Sequence, residues 1–391
     1  MSGVILFQGF SQYQNFNTMT DELAAAFNAG GTRVTVVDAR VADYPQAVRA
    51  LVKRGGIRAV ITMTGFGLDI GKESNAYHAL GAPVISLYYD PLFYYLEQLR
   101  LPIHPRIVTT SSDTDAGWWQ AQAEPPADIR HLPHAAAPQS RQESAPPAWG
   151  NRTIPLLLSG TGCDDPETLR AGWEQHGPVV RDQLNRILEV YRGGPRLRAL
   201  SAIITEAIGS EVDFSSRWTL RRYVLWMDHY LRARLRWRLV TALADRPLLV
   251  VGENWERLGE HLRCRGRSRV RFRRALPTPS VYDLTTRVQI SLNDSTPHHG
   301  SHERVFRSLA TGALVLTNRT RWFAAEAPPA ALVQVDLEQD DVGAVVDDLL
   351  ADPDRAAAIA QTGAAWFRAH HTWQHRVATL NHWIDGMDRH P

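Results

Sequence analysis

The amino-acid sequence predicts an α/β protein made of two successive parallel-sheet domains. Three observations lead there. Strand and helix signals alternate through the first 110 residues, a stretch rich in Pro, Ala, Gln and Ser interrupts them at 124–149, and a second alternating series opens at Ile154. Apolar runs separated by helices of about ten residues pack as parallel strands with helical crossovers. The chain of 391 residues also exceeds what one ordinary core holds.

The elements follow in order. Val4–Gln8 is a short apolar strand ending at Gly9. Thr18 and Asp21–Glu22 stand where they can cap a helix over the apolar stretch Leu23–Phe27. Arg33–Asp38 is β-branched and reads as strand, and Tyr44–Lys53 as helix. Ala59–Thr64 is a strand running into Gly65-Phe66-Gly67; Asn75–Leu80 reads as helix, and Pro83–Tyr89 and Arg106–Thr110 as strands. In the second half, IPLLLSGTG from Ile154 is a strand with a glycine turn, followed by helical sequence over roughly 166–245. There Leu220, Val224, Met227, Leu231, Leu235, Leu239 and Leu243 form one apolar stripe, and Arg221, Arg222, Arg232, Arg234, Arg236 and Arg238 fall mostly off it, as on a solvated face. Strands resume at Pro247–Val251, Val270–Arg273, Val288–Leu292 and Ala313–Thr317, and the tail Ala364–Met387 is helical. The expected domains are 1–135, a linker 136–150, 151–365 with its helical insert, and a last helix in 366–391 packing back on the first domain.

Composition narrows the class. Apolar residues make up 44% and charged residues 21%, as in folded globular proteins, and the net charge of +2 sets up no overall field for an acidic partner. Lys occurs only at Lys53 and Lys72, which fits codon bias toward Arg. Cys163 and Cys264, the only cysteines, give neither a disulfide framework nor a thiolate metal site. No run reaches the roughly 18 apolar residues of a membrane helix, and the first ten residues lack the basic region of a signal peptide. A soluble, cytoplasmic protein is the expectation.

The chemistry concentrates in Val288–Thr320. A buried strand ends in Asn293; a polar loop with Pro297 and Gly300 follows; Ser301 stands where an N-cap belongs, and Val305, Phe306, Leu309 and Ala310 give a one-faced helix ended by Gly312. A strand, a glycine-containing loop and a helix N-terminus together make an anion site. His302 and Arg304 in the first turn oppose the helix dipole, a cost that a bound diphosphate offsets; the alternative is pairing with a carboxylate such as Glu303.

The run LN…GSHERVF…ATGALVLT resembles the nucleotide-binding signature of CgeB-type (spore maturation protein B-like) glycosyltransferases, within the GT-B superfamily. Asp90-Pro91, HLPHAAAP at His131–Pro138, and His371-Thr372-Trp373 through Arg376 resemble further family segments in the same order. The resemblance implies the GT-B fold, two Rossmann-like domains facing across a cleft, here with a helical insertion in the C-terminal domain. It implies a metal-independent enzyme that moves a hexose-type sugar from a nucleotide-sugar, with no cofactor. The donor-binding residues it implies are Gly160, Thr161, Gly162, Asn254, Tyr282, Asn293, Gly300, Ser301, His302, Glu303 and Arg304. The superfamily commonly places a ribose-binding Glu five residues before the helix-terminal Gly; here that residue is Arg307. Asp90 is the candidate catalytic base, with capping of a helix near Leu92 as its other reading; Asp69 and His78 are rivals.

Other motifs point elsewhere with less force. His298, His299 and His302 lack a neighbouring carboxylate pattern for a metal, and a full G-x-G-x-x-G after the first strand is missing. His371 and His375 are spaced to share a helix face. Arg257–Arg274 carries eight Arg but only Phe272 as an interleaved aromatic, so no nucleic-acid partner is expected. A non-catalytic GT-B-fold binding or scaffolding protein is the alternative function, and a nucleic-acid or acidic-surface binder a lesser one.

Overall fold

A computed structural model describes residues 3–67, 81–103, 105–125, 127–138, 147–266 and 268–387. The expected helix Asn75–Leu80, the rival bases Asp69 and His78, and most of the interdomain linker lie outside these residues. The chain divides into two compact units, one of Met1–Pro138 with His370–Pro391 and one of Gln139–Ala369.

The first unit holds six parallel strands: β1 (Gly3–Gln8), β2 (Val34–Asp38), β3 (Ile57–Met63), β4 (Val84–Tyr88), β5 (Arg106–Thr110) and β6 (Asp128–His131), in the spatial order β2-β1-β3-β4-β5-β6. Every residue of β4 and β5 is buried, because helices cover both faces of a parallel sheet. Its helices include α1 (Asn15–Ala29), α2 (Tyr44–Arg54) and α3 (Asp113–Gln120). β6 lies within the stretch 124–149 that interrupts the strand and helix signals. Pro and Ala around it mask a four-residue strand, and Ile129, Leu132, Ala135 and Ala136 are buried. α3 was legible in Ser112-x-x-Asp115: the Ser112 hydroxyl accepts from the Asp115 backbone N–H, the first half of a capping box.

The second unit holds β7 (Ile154–Ser159), β8 (Leu248–Val251), β9 (Arg271–Arg273), β10 (Val288–Asn293), β11 (Leu314–Asn318) and β12 (Val333–Val335), in the order β12-β11-β10-β7-β8-β9, all parallel. Between β7 and β8 the insert is four helices rather than one stretch: α4 (Pro166–Ala171), α5 (Pro178–Gly193), α6 (Leu200–Ile208) and α7 (Arg217–Ala242). Breaks fall at Gly177-Pro178, where Gly177 adopts φ +86°, and at Gly194-Pro195; proline at the first helical position starts α5. All seven residues of the α7 stripe are buried, each contributing about 1.5–3 kcal/mol by leaving water. The solvated-face expectation fails for Arg232, Arg234 and Arg236. Each is mostly covered and paired, to Asp228, Glu338 and Asp294 respectively. Beyond β8 come α8 (Glu256–Cys264), α9 (Thr278–Thr285), α10 (Glu303–Ala310), α11 (Arg321–Glu326), α12 (Val342–Ala351) and α13 (Pro353–His370).

The tail is not one helix from Ala364 to Met387. His371-Thr372 interrupts it, Thr372 bridges in parallel to Ala136, and α14 (Trp373–Met387) begins anew. α14 belongs to the first unit: Trp373, Val377, Leu380 and Ile384 join one core with Val4, Leu23, Phe27 and Ile61. The Trp373 indole N–H donates to Glu22 at 2.7 Å, and the buried Arg376 donates to the carbonyls of Pro133 and His134.

Candidate functional site

Open parallel sheets bind ligands beyond the carboxyl ends of their strands, where the strand order reverses. In the second unit the chain goes from β7 out to β8 and β9, then returns to the other side of β7 with β10. The reversal lies between β7 and β10, and the segments leaving those two strands are Ser159–Gly162 and Asp294–His302.

The turn after β7 packs against the turn after β8. Gly160 and Gly162 donate their backbone N–H groups to Val251 and Glu253 at 2.9 and 2.7 Å, and the Trp255 indole donates to the Gly160 carbonyl. A Cβ on Gly162 would stand 2.0 Å from the Asn254 carbonyl oxygen, and one on Gly252 1.9 Å from that of Gly160. The expected close approach at these glycines is therefore one protein loop on another. Asn254 has φ +62°, a left-handed conformation that non-glycine residues adopt seldom.

At the start of α10 the N-cap is His302 and not Ser301, which is buried one residue earlier. His302 Nδ1 lies 2.8 Å from Glu303 Oε2 and 3.2 Å from the Arg304 backbone N–H, and Nε2 lies 3.1 Å from Arg304 Nη2. Burial lowers the His302 pKa against the opposing pull of Glu303. Of the two readings of the first-turn cations, the pairing of His302 with the Glu303 carboxylate is present.

Arg304 is committed inside the protein. Nη1 donates to the Ser159 carbonyl at 2.5 Å and lies 3.2 Å from Asp294 Oδ1. Asp294 Oδ2 accepts from Arg236 Nε, and Arg236 Nη1 donates to the Thr161 carbonyl. One fully buried carboxylate thus joins the turn after β7, the insert helix α7 and the start of α10. Burial alone would raise the Asp294 pKa; the charges of Arg236 and Arg304 outweigh it and hold the carboxyl well below the usual range. The triad keeps one net positive charge.

A second knot lies one turn away on α7. Asp228, wholly buried, forms an ion pair with Arg232, whose Nε lies 2.7 Å from Oδ2, while Oδ1 lies 2.8 Å from His298 Nε2 and 3.2 Å from His299 Nε2. Asp228, His298 and His299 are the single group among the described residues with three potential metal ligands in reach of one another. The Arg232 guanidinium is a cation already seated on the carboxylate. The carboxylate missing from the histidine spacing in sequence therefore comes from 70 residues upstream.

The remaining donor candidates separate. Asn293 is buried and donates to Ser295 Oγ and Thr317 Oγ1, tying β10 to β11. Gly300 is buried beside Ser301. Tyr282, on α9, lies under the Arg307 guanidinium at 5.1 Å, and Arg307 Nε and Nη2 are buried without a hydrogen-bond partner among the described residues. In the first unit, Asp90 follows β4, and Oδ2 accepts from the Tyr95 hydroxyl at 3.3 Å. Pro91, and not Asp90, is the N-cap of the short turn Leu92–Tyr95. Tyr88 is fully buried and accepts from Arg106, Tyr89 packs at a tilt against the His134 ring, and Tyr94 is exposed. His371 is not on a helix face shared with His375: it precedes α14 and accepts from Arg376 at 2.8 Å.

Sequence reasoning missed Asp294, Arg236 and Asp228. Asp228 left a signal: it is the sole acid of α7, and it falls on the apolar stripe, four residues after Val224 and three before Leu231.

Comparison with known proteins bears on the fold. Residues 232–382 match the family model described as Glycosyl transferase-like. Sucrose-phosphate synthase from Thermosynechococcus elongatus superposes with TM-score 0.60 at 12% identity, over 100% of both chains. An alpha-glucosyltransferase in complex with UDP and a 13-mer DNA gives 0.58 at 8% identity, covering 98% of this chain and 100% of that one. Anabaena HepE in complex with UDP and glucose gives 0.55 at 10% identity, covering 97% and 99%. No curated protein sequence matches the chain. The chain thus has the α/β fold of GT-B glycosyltransferases and, over residues 232–382, the glycosyl transferase-like family pattern.

Proposed function

We propose that the protein transfers a sugar from a nucleotide-sugar donor, with the diphosphate held at the strand-order reversal of the second unit. The observation that carries this reading is the convergence there of the turn Ser159–Gly162, the N-terminus of α10 and the Arg236–Asp294–Arg304 triad. The positive end of α10 stabilises a leaving diphosphate, and the triad's net positive charge adds to it. Fold neighbours whose structures contain UDP support the choice of ligand class. The roles of Gly160, Thr161, Gly162, Asn254, Gly300, Ser301, His302, Glu303 and Arg304 as donor-site residues, and of Tyr282 in the wall for the base, belong to this proposal. So do a hexose-type donor, CgeB-type kinship, metal-independent chemistry and a cytoplasmic location. No helix among the described residues is long and apolar enough to cross a membrane. Asp90 is the proposed base that deprotonates the acceptor.

The test is a thermal-shift screen with UDP, GDP, TDP and CMP, with and without EDTA. A ligand at 100 times its Kd adds about 2.7 kcal/mol, a shift of several degrees. A response to one nucleotide that survives EDTA is expected. No response to any would favour a non-catalytic binding protein; a response lost with EDTA would refute metal independence.

A further inference from the structure

The insert helix α7 carries seven Arg and one acid, and that acid is the one charge it buries completely. A carboxylate in such a place costs several kcal/mol unless every lone pair is used. Asp228 uses them on Arg232, His298 and His299. Two consecutive histidines are thereby drawn to one carboxylate oxygen, their rings crossed at 85° with centroids 4.8 Å apart. The loop they belong to is tightened by the His299 backbone N–H on the Thr296 carbonyl at 3.0 Å. Three residues after His299 comes His302, the cap of α10. The conformation of the loop that leads from β10 into the anion site is set from α7.

The two histidines are not equivalent. The His298 side chain is 1% exposed, whereas 14% of His299 reaches solvent. Burial, and next the Arg232 charge, lower the His299 pKa to about 4, so its ring is neutral at pH 7. Nε2 faces Asp228 Oδ1 at 3.2 Å and carries the proton directed to it; Arg232 Nη2 lies at 3.3 Å, while Arg232 Nε is drawn closer to Asp228, 2.7 Å from Oδ2. Nδ1 then holds a lone pair and makes no hydrogen bond to another described residue.

We infer that Asp228 is a positioning residue of the donor site, acting through His299, whose Nδ1 it keeps as a fixed acceptor for a hydroxyl of the bound donor. The inference rests on the transferase reading and makes the helical insert part of the site. An ornamental ion pair would not need both histidines, and a purely structural one would not leave the outer nitrogen of the exposed ring unprotonated and open.

The test uses the full chain and three variants, Asp228→Asn, His299→Leu and the double variant. UDP release from UDP-glucose without acceptor is followed, alongside UDP-induced thermal shift and the tautomer of His299 by side-chain ¹⁵N NMR. The amide introduced by Asp228→Asn can turn its nitrogen toward the ring and favour the opposite tautomer. Expected for Asp228→Asn is a shift of the His299 proton toward Nδ1, a fall in UDP release of about 10²-fold as for a misplaced reacting group, and an unchanged UDP shift. The double variant should be no slower than His299→Leu alone, because the two residues act as one unit. Additive losses, an unaltered tautomer, or parallel loss of UDP binding and turnover would overturn the positioning role. A wild-type protein that neither responds to UDP nor releases it from UDP-glucose would overturn the transferase reading itself.

Discussion

Replacing Asp294 by Asn keeps the side-chain volume and removes one charge from the centre of the triad. Arg236 and Arg304 then face each other across a neutral amide, in a place where the carboxylate is 0% exposed and the two guanidinium side chains are 13% and 17% exposed. Breaking a buried pair by removing one partner costs about 3–5 kcal/mol, since the charge left behind is neither hydrated nor compensated. In a unit the size of Gln139–Ala369, each kcal/mol moves the midpoint by roughly 2–4 °C, so the Tm of Asp294→Asn should fall by about 6–20 °C at pH 7. The effect also has a pH signature. The folded carboxyl titrates well below its unfolded value, because the two Arg charges overcome the raising effect of burial. The stability it contributes is complete above the unfolded aspartate value, about 3.9, and is lost as pH falls below that toward the depressed folded value. The Tm gap between wild type and variant should therefore hold from pH 7 to 5 and begin to narrow as the pH is lowered through 4 to 3. Differential scanning calorimetry across that range checks both statements. A gap under about 2 °C at pH 7, or one that does not change on acidification, would refute the reasoning.

Four further outcomes are expected. Arg304→Ala removes a guanidinium from the triad and from the Ser159 carbonyl; turnover should fall about 10²–10³-fold with weaker nucleotide binding, and unchanged affinity and rate would sink its donor role. Gly162→Ala drives a methyl into the Asn254 carbonyl at 2.0 Å, which should cost about 1–3 kcal/mol and abolish the nucleotide-induced shift; a normal denaturation midpoint would show that the two turns can separate freely. His299 refuses protons in the folded state down to about 4 that the unfolded chain accepts near 6.5, so stability should decline by about 3 kcal/mol as pH falls between those values, and His299→Gln should lack that component in urea titrations. Asp90→Asn retains the hydrogen bond from Tyr95 but cannot take up a proton; once an acceptor is identified, transfer at the wild-type rate would exclude Asp90 as the base.

Much of the fold was legible because parallel sheets write themselves into sequence as apolar runs with helices between them. β4 reads as a nearly continuous apolar stretch since both faces are covered, and the α7 stripe is a 3.6-residue period with every member buried. The strand, glycine-containing loop and short one-faced helix of the proposed donor site were legible to the same degree, because they are consecutive in the chain. Local signals failed where composition and geometry compete. Ser301 has the better capping chemistry, yet His302 takes the cap, and the Pro and Ala around Asp128–His131 hid a strand. What sequence by itself could not decide is which charges meet. Arg232, Arg234 and Arg236 alternate with apolar residues and so look like a solvated face. Tertiary packing turns them to Asp228, Glu338 and Asp294, partners 4, 104 and 58 residues away. A helix pattern fixes which side of α7 is apolar, but only the sheet it lies on determines which loops reach its edges. Desolvation there is severe enough that each buried carboxylate must find its guanidinium, wherever in the chain that guanidinium lies.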